Sequence, residues 1–234
     1  MTYQDYKDHQ FTLAVDCIIF GFSGRELNIL LIHRGFDPGK GLWSLMGGFV
    51  KNDESLDDAP KRILKDLTGL RDVYLEQVHT YGHIHRDPGD RVVSVAYFAL
   101  IRKDDHDQKL LDEHNAKWFP LDEYPDLIFD HGDMINAAKR QMHIHARLQP
   151  IGFNLLPPKF TLPELQYLYE SIYGQKLDDR NFRRRVLTLG ILKKTTEKKK
   201  DGSKKGAFLF EFDKDAYQRL RDDTQEMKAL FTLF

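Results

Sequence analysis

Polar and apolar positions change their rhythm several times along the chain, and each change predicts an element. The run FTLAVDCIIFGF is rich in β-branched and aromatic residues, as is LNILLIHRG, and Ser23-Gly24-Arg25 between them reads as a turn joining two paired strands. FDPGKGLWSLMGGFV then mixes turn residues with short apolar pieces. Across residues 55–67 the apolar side chains are Leu56, Ala59, Ile63, Leu64 and Leu67, the spacing of one helix face, and Gly69 stands where a left-handed residue would end it. Pro60 constrains where this helix begins. Inside the helix its ring clash and missing N–H would cost about 3 kcal/mol, whereas a start capped by Asp57 leaves it in the first turn. VYLEQVHTYGHI, RVVSVAYFALI and NAKWFPLDE continue as strands, and DMINAAKRQMHIHARL as a helix. Strands, helix, strands, helix predict an α+β fold or an α/β/α sandwich with a mixed sheet.

The pair Pro157-Pro158 marks a boundary. Beyond it, Thr161 can cap a helix with Glu164 three positions on; Leu162, Leu165, Leu168 and Ile172 form its apolar stripe, and Gly174 ends it. Asp178 and Asp179 open a second helix, DDRNFRRRVLTLG, with Phe182, Val186 and Leu189 facing inward. ILKKTTEKKK and GAFLFEFD flank the turn Asp201-Gly202-Ser203 and pair as a hairpin. Helix, helix and hairpin outline a winged helix. With Phe182 set at zero and 100° per residue, Arg180 and Arg184 fall at about 160° and about 200°, opposite the buried stripe, with Asn181 and Arg183 beside them.

Charge sharpens this division. The net charge of −1 conceals 18 Lys+Arg against 24 Asp+Glu up to Pro150, and 17 against 12 after it. Residues 176–205 alone carry 12 basic and four acidic side chains, the local footprint of a surface that meets a polyanion. Arg pairs bidentately with guanine and Asn with adenine, so Arg180, Asn181, Arg183 and Arg184 suit a major groove, and Lys198, Lys199, Lys200, Lys204 and Lys205 suit phosphates nearby. The single cysteine, Cys17, leaves neither a disulfide framework nor a multi-cysteine zinc site within one chain. The spaced pairs His83/His85 and His143/His145 lack a third ligand. No apolar run reaches the roughly 18 residues of a membrane span, and MTYQDYKDHQ has no apolar signal core, so the expectation is a cytoplasmic protein without a membrane partner.

Residues 47–70, GGFVKNDESLDDAPKRILKDLTGL, carry a further signal. Gly48, Glu54, Arg62, Leu64, Asp66, Gly69 and Leu70 follow the frame of a Nudix box, G-x5-E-x7-R-E-U-x-E-E-x-G-U with U aliphatic, and the segment resembles that motif. Where the box has its three clustered Glu, this chain has Ile63, Asp66 and Leu67. Mg²⁺ needs a cluster of oxygen ligands to neutralise a pyrophosphate and orient water, and Leu67 and Ile63 offer none. The expectation is no catalytic residue, no metal and no cofactor, hence no enzyme. The competing expectation is a Mg²⁺-dependent hydrolase using Glu54 and Asp66 with Asp53, Asp57 or Asp58 as substitutes.

A Nudix-like half followed by a winged helix is similar to the Nudix-related transcriptional regulators of the NrtR type, over nearly the whole chain. The resemblance implies an effector-sensing and dimerising domain at residues 1–149 and a winged-helix DNA-binding domain at residues 150–234. It further implies a homodimer that releases double-stranded operator DNA when a small effector binds. LMGGFV and the RDPGDRVVS loop resemble most the arabinose-responsive AraR-like branch of Bacteroidetes, which makes L-arabinose the leading effector and an ADP-ribose-like nucleotide the alternative. A sugar needs planar polar groups and an aromatic face, and Arg34, Trp43, Glu54, Arg86, Asp87, Arg91, Asp130 and His131 are the candidates. Each has a plainer role available: Trp43 as core, Arg86 and Asp87 as turn builders, Asp130 and His131 as a helix cap.

Overall fold

The computed structural model describes residues 9–71, 73–105, 108–148, 151–200 and 206–222. They fall into two compact units, one of Met1–Gly21 with Asn28–Arg140 and one of Phe22–Leu27 with Gln141–Phe234.

The first unit is built on a seven-stranded sheet. Its strands are β1 (Thr12–Phe22), β2 (Leu27–His33), β3 (Trp43–Ser44), β4 (Met46–Phe49), β5 (Leu75–Tyr81), β6 (Val92–Arg102) and β7 (Ala116–Pro120), in the order β3-β2-β1-β6-β5. β4 pairs with β1, and β7 with β2. Both of these ladders are antiparallel, whereas Trp43 makes a parallel bridge to Leu127, so the sheet is mixed as expected. β1 and β6 are buried along almost their whole length, which explains why their sequences are near-continuous apolar runs instead of alternating ones. Three short elements escape the periodicity argument: the two-residue β3, the four-residue β4 and the six-residue helix α2 (Gln108–Glu113).

Helix α1 spans Ala59–Thr68. Asp58, not Asp57, is its N-cap residue, and Pro60 lies in the first turn, where no N–H is needed. Gly69 closes it at φ 76°, with its N–H bonded to Lys65 O. The α1 side chains Ala59, Ile63 and Leu64 enter a core with Val15, Cys17, Ile19, Met46 and Val95, and Leu67 packs against its edge. Helix α3, His131–Leu148, belongs to the first unit up to Arg140 and to the second from Gln141.

The second unit contains α4 (Leu162–Tyr173), α5 (Asp179–Thr188), α6 (Lys214–Asp222) and a three-stranded sheet in the order β8-β10-β9, from Phe160–Thr161, Ala207–Phe212 and Leu192–Lys199. α4 starts on a complete capping box: the Glu164 N–H donates to Thr161 Oγ1, and the Thr161 N–H donates to Glu164 Oε2. β8 is too short for any pattern to reveal it, yet it supplies the third strand of a winged helix. No helix among the described residues is long and apolar enough to cross a membrane.

Candidate effector and nucleic-acid sites

The candidates in the first unit separate into a clamped Glu54, a buried cluster, and a scattered remainder. Glu54 is bound on its own loop. Arg62 grips it with two parallel bonds, Nε to Oε2 at 2.8 Å and Nη2 to Oε1 at 2.6 Å, and the Lys51 N–H donates to Oε1 at 2.9 Å. The Arg62 hydrogen bonds, then the Lys51 amide, pull the Glu54 carboxyl down to about 2. Arg62 also donates to Phe49 O, so the pair ties the loop to β4.

The rest of the box does not offer a cation cluster. Ile63 is 4% exposed, and its Cδ1 would lie 3.4 Å from a Cβ on Gly48, filling the space beneath the glycine loop. Asp66 is exposed, about 60° around α1 from Ile63 and about 40° from Arg62. Asp57 accepts from Tyr97 Oη at 2.9 Å, and Asp58 accepts from Ser55 and Lys61. Among the described residues no group of three or more His, Cys, Asp or Glu is placed to hold a metal ion. The residues present do not fit the Mg²⁺ site of the motif they resemble.

The second group is a buried polar cluster that brings together Arg86, Asp130 and His131 from the predicted set and adds Asp16, Ser94 and Ser44. The Arg86 guanidinium donates to both oxygens of Asp130, Nε at 2.9 Å and Nη2 at 2.7 Å, and Nη2 lies 3.6 Å from Asp16 Oδ2. Ser94 Oγ donates to Asp16 Oδ2 at 2.6 Å. The Leu45 N–H donates to His131 Nδ1 at 3.1 Å, which places the imidazole proton on Nε2, facing Asp16 Oδ1 at 3.7 Å. Burial holds the His131 pKa below its ordinary value despite the opposing pull of Asp16 and Asp130, so the ring is neutral near pH 7. Gly47, opposite Asp16 in the β1–β4 register, leaves room for this carboxylate: a Cβ there would sit against Asp16 Oδ1 and 2.8 Å from Val15 O.

Asp16 was open to discovery from sequence. It is the one acid within FTLAVDCIIFGF, and a carboxylate inside a buried strand must find partners. What the sequence could not show is that they come from residues 78 and 70 positions away, Ser94 and Arg86.

The remaining candidates have local work. Arg34 donates through Nε to Pro38 O at 2.9 Å and stacks its guanidinium 4.2 Å from the centre of the Phe36 ring. Trp43 is wedged edge-on between His33 and Phe119. Asp87 accepts the Gly89 N–H, as a turn residue does. Arg91 donates to Gly82 O and lies over Phe11. A recess of about 420 Å³ opens beside Asp130, lined also by Tyr124, Asp126, Phe129 and Asp133; another of about 330 Å³ beside α1 is lined by Lys61, Arg62, Lys65 and Arg71. Apart from Asp130 and Arg62, which are paired with Arg86 and Glu54, the first is lined by the acids Asp126 and Asp133 and the second by the cations Lys61, Lys65 and Arg71.

On the second unit, α5 is fixed from behind and open in front. Phe182 and Val186 are buried, and the Asn181 N–H donates to Asp178 Oδ1 at 2.8 Å as the helix cap. Gln166 Nε2 reaches Asp179 Oδ1 at 2.7 Å and Leu177 O at 3.1 Å, locking the α4–α5 turn. Arg180, Asn181, Arg183 and Arg184 are all exposed, with Arg184 Nη2 donating to Asn181 Oδ1 at 3.0 Å. In the hairpin, Lys198 lies 4.4 Å from the centre of the Phe208 ring, joined there by Lys194 at 3.7 Å, which sequence reasoning passed over. Lys199 is paired with Glu164 at 2.7 Å. Lys200 is exposed, and Lys204 and Lys205 lie outside the described residues.

Comparison with known proteins matches residues 10–138 to the NUDIX domain and residues 152–212 to the NrtR DNA-binding winged helix domain. The chain is 38% identical over 204 residues to the ADPR responsive transcriptional repressor NtrR of Acinetobacter baylyi, covering 86% of this chain and 81% of that one. It is 31% identical over 141 residues to an ADP-ribose pyrophosphatase of Methanocaldococcus jannaschii, covering 58% of this chain and 80% of that one. Among solved structures, Shewanella oneidensis NrtR complexed with a 27mer DNA superposes with a TM-score of 0.77 at 32% identity, covering 88% of this chain and 95% of that one. With a Nudix unit, a winged helix whose basic helix faces outward, and these relatives spanning both, the chain belongs to the NrtR-type family of DNA-binding transcriptional regulators.

Proposed function

We propose that this protein is a homodimeric repressor whose winged helices hold operator DNA and whose Nudix unit binds an ADP-ribose-like nucleotide without hydrolysing it, releasing the DNA. The observation that carries this reading is Ile63 packed beneath Gly48 in a Nudix frame that continues into a winged helix. The expectation of L-arabinose gives way to the nucleotide alternative, because a relative that spans both units is named for its response to ADPR and none of the relatives reported above is named for arabinose. Motif spacing could not make that choice, since the box frame is common to both readings.

The mechanism is differential binding. An effector that binds better to the conformation unsuited to the operator lowers DNA affinity by the ratio of its two affinities. Anisotropy of a labelled duplex selected by the protein from a random pool tests it directly. ADP-ribose should release the duplex and L-arabinose should not. Release by L-arabinose alone would reverse the effector assignment. AMP production from ADP-ribose with multiple turnovers in Mg²⁺ would overturn the silent Nudix unit.

A further inference from the structure

The outward face of α5 carries one residue that its charges do not explain. Leu187 is 48% exposed, while the other two large apolar residues of the helix, Phe182 and Val186, are 2% and 4% exposed. At about 100° per residue, Leu187 falls about 20° from Arg180 and about 40° from Arg183, and about 140° from Phe182, on the same stripe as the arginines. A single exposed leucine on an ordinary surface needs no explanation. This one stands on the face that loses its water when a duplex docks, among guanidiniums that draw that duplex in.

We infer that Leu187 reads the C5-methyl group of a thymine in the operator's major groove. The inference rests on the DNA-binding reading of α5. A leucine can neither donate nor accept a hydrogen bond, so it cannot use the donor and acceptor pattern that distinguishes the base pairs. The thymine methyl is the apolar group on the major-groove edges, and contact with it is the readout an aliphatic side chain can make. Leu187 follows Arg180 by seven positions, which is about 10.5 Å of helix rise or roughly three base-pair steps when the helix lies along the groove. The thymine therefore belongs inside the half-site, displaced from the base contacted by Arg180 and beside those within reach of Arg183 and Arg184.

The test uses the full chain and a duplex enriched by it from a random pool at physiological salt. Each dT is replaced singly by dU, which removes the methyl and leaves the pairing edges intact, and affinity is read by anisotropy. One position per half-site should weaken binding about fourfold, the worth of one buried methyl-sized group, and Leu187→Ala should abolish that sensitivity while Leu187→Met keeps it. Since Leu187 is exposed, the melting curve of Leu187→Ala should match the parent's, and a match confirms that the loss lies in recognition. A flat dU scan, or a sensitive position that persists in Leu187→Ala, overturns the inference and leaves the operator reading intact. A flat scan with a changed sedimentation of Leu187→Ala assigns the residue to a protein contact instead. Failure to enrich any duplex removes the operator reading, and this inference with it.

Discussion

The charges of the two units are used in opposite ways. In the Nudix unit, Asp16, Arg86 and Asp130 are turned toward one another beside the neutral His131, and the Arg86 side chain is only 4% exposed. On α5 Arg180, Arg183 and Arg184 face water, and Arg184 donates to the neighbouring Asn181. A charge in a dry place must be answered within the fold, so it sets geometry; a charge on an open helix face can await a polyanion, so it sets affinity. The same residue type, arginine, is structural in one place and recognitional in the other, and only the neighbours tell which.

Four measurements would break or sharpen this contrast. The largest effect is expected for Arg86→Ala, which leaves Asp130 and Asp16 without their cation. Unfolding followed by the fluorescence of Trp43 and Trp118, both in the Nudix unit, should show a loss of about 3 kcal/mol or more; a loss near zero would mean that the cluster is not closed. Arg184→Ala should leave that unfolding curve unchanged within about 0.5 kcal/mol and weaken the operator complex roughly tenfold, with effector binding intact. Unchanged DNA affinity would place the recognition face elsewhere on the helix. Next comes Lys198→Ala. Removing one phosphate contact should lower the slope of log affinity against log salt by about 1, alike for all sequences; a base-specific loss would move Lys198 into a groove.

The smallest effect is the pH response of His131. Its folded pKa lies below the ordinary 6.5, so below that pH the unfolded chain takes up a proton that the folded chain refuses. Stability from this group is therefore present above pH 6.5 and falls as the pH drops from 6.5 toward the depressed value. A His131→Asn variant should lack that component of the acid slope, and an identical slope in both proteins would show that His131 is not held neutral.

The legibility of the chain followed the range of the interactions. α1, the capping box of Thr161 and Glu164, the Gly69 stop and the basic face of α5 depend on residues a few positions apart, and each was readable from spacing. β4 and β8 owe their existence to a neighbouring strand, so no local pattern announced them. The sequence marks Arg86, Asp130 and His131 as polar candidates and Asp16 as an acid in an apolar strand, but only register brings β1 to this cluster and pairs Asp16 with Arg86 and His131. The effector was beyond spacing altogether, because a pocket's selectivity is set by scattered side chains and its shape.

The packing of Ile63 under the glycine loop has a consequence for information. A Nudix unit that cleaved its ligand would respond to the balance of supply and its own consumption, and would erase each signal as it read it. With Ile63 and Leu67 in place of two of the motif's three clustered acids, on the proposed reading, the molecule returns every effector it captures. Its occupancy then follows the standing concentration of that metabolite, and a few copies of the regulator can sample the pool without draining it.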